Sequence, residues 1–126
     1  MRAVRGGEFR FAFYAHDYDA TVSFYKDDLA LPIVDGWDRG PDDKGAIFSA
    51  ASGLIEILVL PAGQEFVAPR GSLLIEVEDV DACHDRAQQR ELQITQQPTD
   101  KPWGHRDLVL ADPNGLRLVL FSSIEA

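Results

Sequence analysis

The chain has 126 residues, 45% of them hydrophobic, enough for one domain whose core needs no disulfide or metal staple. Its 21 acidic against 12 basic residues leave a formal charge of -9, which repels nucleic-acid backbones and anionic membranes and excludes both as partners. The lone cysteine, Cys83, rules out an intrachain disulfide and a cysteine zinc cluster; no apolar run reaches the roughly 18 residues of a membrane span, and MRAVRGGEFRF lacks an apolar signal core, so a cytoplasmic protein is expected.

Residues 8–14 read as a strand, with Phe9, Phe11 and Phe13 alternating against Arg10, Ala12 and Tyr14. Period two separates two faces, and the phenylalanines are expected to meet a helix. That helix spans about 18–29, with Tyr18, Val22, Tyr25 and Leu29 on one stripe, and stops before Pro32. Short strands follow at about 32–35, 45–50 and 53–60, separated by DGWDRGPDDKG, whose Gly, Pro and Asp content predicts a loop. The connector PAGQEFVAPRG, residues 61–71, leads to a second series: a strand at 72–77, a helix at 80–91 with Asp79 as N-cap, and strands near 93–96, 105–111 and 116–122. In DPNGLRLVLF, Asn114-Gly115 predicts a two-residue hairpin turn.

The two series are copies of one unit. DYDA at 17–20 recurs as DVDA at 79–82, an offset of 62 residues, and Gly53-Leu54 recurs at the same offset as Gly115-Leu116. Each copy reads βαβββ, the first over about 8–60 and the second over about 72–122, and both belong to a single domain.

Several side chains stand out. Glu56 is the only polar residue in GLIEILVL, and a carboxylate sharing a face with Leu54, Leu58 and Leu60 needs a partner. Arg10 sits on the corresponding face of the first strand. Trp37 and Trp103 lie in predicted loops, where planar rings suit stacking or cation-π contact. His105 follows Trp103-Gly104 at a strand start and suits hydrogen bonding or acid-base work. His16 and His84 have no ligand-like neighbour four residues on, and Phe48 reads as ordinary core. No phosphate-binding glycine pattern or serine elbow appears.

Two βαβββ units with D-x-D-A helix starts, FYKDDLAL in the first helix and PWGHRDLVLADPNGLRLVLF at the end resemble the vicinal oxygen chelate superfamily of glyoxalase I, extradiol dioxygenases, fosfomycin-modifying enzymes and bleomycin-resistance proteins. The resemblance covers about residues 8–122 and implies an α+β fold with a U-shaped cleft; Ala30 departs from its usual Leu-Gly-Leu helix end. In metal-using members each unit supplies two ligands, and the matching positions here are Arg10, Ser72, Glu56 and Val119. Only Glu56 suits a metal, since arginine does not deprotonate and valine has no lone pair. The resemblance therefore implies a chain with no metal and no cofactor, in which Arg10 fills the metal position and forms a buried pair with Glu56.

The expected function is metal-independent sequestration of a small organic molecule, antibiotic-like and cationic in view of the acidic surface, in the manner of the bleomycin-resistance branch. Arg10 and Glu56 are expected to close the cleft floor, Tyr14, Leu58, Ser72, Leu74, Val119 and Phe121 to line it, and Trp37, Trp103 and His105 to gate it, with Glu76 as counter-charge. A homodimer is expected, because short open sheets leave apolar edges. The alternative is a lyase, isomerase or dioxygenase with Glu56 as ligand or general base and His105 as acid or base.

Overall fold

The structure is a computed structural model describing residues 7–124. Two four-stranded sheets, each with one helix, form an α+β fold. The first unit comprises β1 (Arg10–Ala15), α1 (Tyr18–Ser23) with a π-helical turn (Phe24–Asp28), β2 (Ile33–Asp38), β3 (Lys44–Ala50) and β4 (Gly53–Val59). The second comprises β5 (Ser72–Glu76), α2 (Val80–Gln89), β6 (Gln93–Asp100), β7 (His105–Ala111) and β8 (Arg117–Ser123). Strand order is β1-β4-β3-β2 in one sheet and β5-β8-β7-β6 in the other, with β1 parallel to β4 and β5 parallel to β8. The sequence repeat is thus a repeat of topology.

The recurring D-x-D-A tetrapeptide has a physical role. Asp17 Oδ1 accepts from the Ala20 amide and Asp79 Oδ1 from the Ala82 amide, both at 3.0 Å, while Asp19 and Asp81 place a second negative charge in the first helical turn. One carboxylate caps a free amide and the other meets the positive end of the helix dipole.

Each sheet has a helix-covered face and a helix-free face. Phe13, Phe48, Ile55 and Ile57 of the first sheet join Ile75, Leu108, Leu110, Leu118 and Leu120 of the second in one continuous core, with Phe24 and Tyr25 between them. Truncating fully buried Phe48 to Ala is worth about 3–5 kcal/mol. Among the described residues, no helix is long and apolar enough to cross a membrane.

Polar bonds weld the units together. Arg86 of α2 donates to the backbone carbonyls of Asp27 and Asp28 at 2.6 and 2.8 Å, satisfying groups that the end of the first helix leaves free, and Arg90 Nε pairs with the Asp28 carboxylate, reaching Oδ1 at 2.6 Å. Asn114 Oδ1 accepts the His16 amide at 2.8 Å, and Asn114 Nδ2 donates to the Thr21 hydroxyl at 3.2 Å.

Four expectations need correction. The segment expected as a loop is strand at its start: β2 runs to Asp38, because Gly36 lies so close to the Gly45 carbonyl that a Cβ would sit 2.9 Å from it. β6 extends to Asp100 through two register shifts, which let it pass Pro98. The helix expected to run to residue 29 widens to a π turn from Phe24, where two successive aromatic rings are buried. The Asn114-Gly115 turn is a three-residue loop in which Gly115 (φ 83°) takes a positive φ and Asn114 does not. Pro113 presets the first turn position, and Asp112 Oδ1 accepts from the Asn114 and Leu116 amides at 2.8 and 2.9 Å.

Candidate functional site

Register determines which residues share the helix-free faces. On the first sheet Arg10 pairs with Leu54, Ala12 with Glu56, and Tyr14 with Leu58, while Glu56 and Leu58 also oppose Ile47 and Gly45 of β3. Arg10 Nη1 donates to Glu56 Oε1 at 2.5 Å, and Arg10 Nε donates to Glu8 Oε1 at 2.7 Å. Hydrogen bonds to Glu56 first, then to Glu8, hold the guanidinium pKa above its ordinary value. The pair therefore forms, but it is not buried: the Arg10 side chain is 34% exposed and that of Glu56 15%. β1 is an edge strand, and Arg10 at its first residue stays open to water.

Beyond the ion pair, Tyr14, Leu58, Trp37, Asp43, Lys44 and Pro61 line a depression of about 110 Å³. Trp37 was expected on a loop at the rim; it stands instead on β2, half-buried. Its indole lies against Gly45, where an added Cβ would come within 2.4 Å of the ring, and its Nε1 donates to Asp43 Oδ1 at 2.9 Å. That bond and a second from Arg39 hold the Asp43 carboxyl below its ordinary range.

On the second sheet Ser72 pairs with Arg117, Leu74 with Val119, and Glu76 with Phe121. Ser72 Oγ accepts from Arg117 Nη1 at 3.0 Å. Val119 is buried yet stands outside the helix-side core, as an apolar floor residue should. His105 stacks on Phe121 with centroids 4.4 Å apart and planes 18° apart. Trp103 is 64% exposed in the β6–β7 connection, with Lys101 Nζ 5.9 Å from its ring centroid.

The two units meet at an open depression of about 710 Å³, where Ala51 and Ser52 of the β3–β4 turn face Leu74, Glu76, Glu78 and Phe121. Arg10 and Glu56 do not line it. The predicted residues thus gather in three places: the Arg10–Glu56 pair, the Tyr14–Trp37–Leu58 depression, and the Leu74–Glu76–Phe121 wall carrying His105. A partly open, mainly apolar pocket of about 60 Å³ near Cys83, Ala87 and Leu110 lies on the helix side and has room only for a water or two. The Cys83 thiol there is pushed up by burial.

Sequence reasoning missed Asp107 and Gln96. Asp107 directly opposes Phe121, and Gln96 opposes Val109; both stand on the helix-free face. Asp107 is 7% exposed, and its Oδ1 has no hydrogen-bond partner among the described residues. Gln96 Oε1 accepts from Lys101 Nζ at 3.1 Å while its Nε2 is buried without a partner. The signal was present, since an Asp alternating with Val109 across from Leu108 and Leu110 invites the argument that singled out Glu56.

Among the described residues, no three His, Cys, Asp or Glu side chains gather where they could hold a metal ion. The four positions matched to metal ligands supply one carboxylate, already ion-paired with Arg10, a serine hydroxyl occupied by Arg117, and a valine. That donor set does not fit a divalent ion.

A comparison with curated proteins returns no match. Among solved structures, the fold is similar to TnmS3, an antibiotic-binding protein from Streptomyces sp. CB03234, at 22% identity and TM-score 0.78 over 98% of this chain and 99% of that one. It is similar to TioX from Micromonospora sp. ML1 at 18% identity and TM-score 0.75, covering 94% and 100% of the two chains. It also resembles lactoylglutathione lyase from Agrobacterium tumefaciens at 19% identity and TM-score 0.70, covering 94% and 95%. At such identities these likenesses establish fold alone. The family model described as Glyoxalase/Bleomycin resistance protein/Dioxygenase superfamily matches residues 9–120, and the chain belongs to that superfamily.

Proposed function

We propose that this protein binds and sequesters a small organic molecule without a metal, as a homodimer. The observation that carries the reading is the Arg10–Glu56 contact: the one carboxylate among the matched ligand positions is engaged by a permanent cation from another of them. A carboxylate so held is a poor general base and a poor metal ligand, because either role requires the guanidinium to be displaced. Binding needs only complementary walls, and the aromatic and aliphatic residues of the two helix-free faces supply them. The likeness to an antibiotic-binding protein supports the same reading. Exposed Phe9, Tyr14, Ile33, Val34, Leu74 and Trp103 give a second copy apolar surface to cover.

The test combines two measurements on purified protein. Elemental analysis is expected to find no stoichiometric zinc, nickel, iron or manganese, and calorimetry with a panel of aromatic antibiotics is expected to find saturable binding that a chelator leaves unchanged. Turnover of a hemithioacetal or catechol that disappears in Glu56→Gln would overturn the proposal.

A further inference from the structure

Asp107 breaks a general rule. A buried carboxylate is normally paired or hydrogen-bonded, because loss of hydration otherwise costs several kcal/mol, yet Asp107 is 7% exposed with Oδ1 unpartnered and no ion pair among the described residues. Nearby cations are engaged elsewhere. Lys101 donates to Gln96, and Arg106, alternating onto the opposite face, is bound to Asp81 and Asp100.

Its placement gives the missing partner a chemistry. Glu76, Phe121 and Asp107 are successive partners across β5, β8 and β7, so one row carries a carboxylate on each side of an aromatic ring. Strand spacing puts the backbones of the two acids about 10 Å apart with the ring between them. His105 covers one side of Phe121, and the ring still borders the open depression beside Leu74 and Glu76. Glu76 and Phe121 of that row line the open depression, which Ser52 and Glu78 make partly polar, and Asp107 stands one strand behind them. A negative row around an aromatic ring at such an edge is complementary to a protonated amine carried on an aromatic or aliphatic body.

We propose that Asp107, with Glu76 across Phe121, is the specificity-determining position of the second unit's wall and selects ligands bearing an organic ammonium group. This rests on the small-molecule-binding reading above and assigns the charge of the ligand. Asp107 is the anchor, Phe121 the stacking surface, and exposed Glu76 adds attraction from the far side of the ring. The unpaired carboxylate lowers the stability of the free protein, a cost that sites built for recognition commonly carry.

The test uses two probes of one shape, naphthylmethylammonium and neutral naphthylmethanol, titrated into the full chain and followed by amide chemical shifts. The wild type is expected to prefer the ammonium by about tenfold or more, the scale of a charge-assisted hydrogen bond. Asp107→Asn is expected to bring the two affinities within about twofold and to melt at the same or a higher temperature than wild type, because the uncompensated charge is gone. Glu76→Gln, on an exposed side chain, is expected to reduce the preference about threefold. Asp85→Asn, which removes the same charge from the exposed face of α2, is expected to leave it unchanged.

Equal affinities in wild type, a preference that survives Asp107→Asn, or an Asp107→Asn protein that melts lower or fails to fold would each overturn the inference. Saturable but equal binding of the two probes sinks the inference alone. Failure of both probes to saturate sinks the binding reading with it.

Discussion

Tyr25 Oη donates to Asp112 Oδ2 at 2.7 Å, joining positions 87 apart in sequence inside the core shared by the two units. Asp112 also accepts from the Asn114 and Leu116 amides and from Asn114 Nδ2, so one buried carboxylate shapes the final hairpin and fastens it to the first helix. Asp112→Ala leaves the Tyr25 hydroxyl and two amides without that partner and is expected to cost about 3 kcal/mol or more. Tyr25→Phe removes only one of several donors to Asp112 and is expected to cost about 1–1.5 kcal/mol. Urea denaturation with an unchanged m-value checks both.

The same tyrosine makes the fold sensitive to alkali. Burial first, then the Asp112 charge and hydrogen bond, push the Tyr25 phenol far above its ordinary range. A group whose pKa is raised on folding gives stability that is complete below its unfolded value, near pH 10, and is lost as pH rises beyond it. The melting temperature is expected to fall above about pH 10 and to fall less steeply in Tyr25→Phe. Equal slopes would show that this phenol does not carry the effect.

Ala30 closes the π turn in the left-handed region, at φ 57°, where the clash of Cβ with the backbone costs about 1–2 kcal/mol and glycine has no such clash. Gly loses more entropy on folding, so Ala30→Gly is expected to stabilise by about 0.5–1 kcal/mol net. Calorimetric melting at neutral pH measures it directly.

The repeat made the fold readable. Asp17 and Asp79 mark both helix starts, and alternation in 8–14 assigned Phe11 and Phe13 to the helix side, because capping and period two are local properties of the chain. Phe9 escaped the pattern: it precedes β1 and is 74% exposed. Trp37 was misplaced because Gly36 signals a turn when neighbours are unknown, whereas here the glycines clear space for strand pairing and for the indole. The Arg10–Glu56 contact was readable from face and offset, but its exposure depends on β1 lying at a sheet edge, a tertiary fact. Asp107 carried the signal of an acid alternating with apolar residues, as Glu56 did, but the missing partner of its Oδ1 exists only once β6 and β8 lie on either side of it.

The Arg10–Glu56 contact makes a prediction of its own. With the guanidinium open to water and shared with Glu8, Arg10→Met and Glu56→Gln are expected to be non-additive at low ionic strength, with a coupling that weakens at about 1 M salt, where screening acts over about 3 Å. Coupling that persists undiminished in high salt would return the pair to the buried class.

The indole of Trp37 is clamped between a glycine floor and Asp43, while that of Trp103 stands in water. The chain therefore carries two intrinsic fluorophores of unequal exposure, one half-buried and less accessible to iodide, the other exposed and readily quenched. Because they belong to different units, a ligand's arrival at either half can be followed optically without attaching a label.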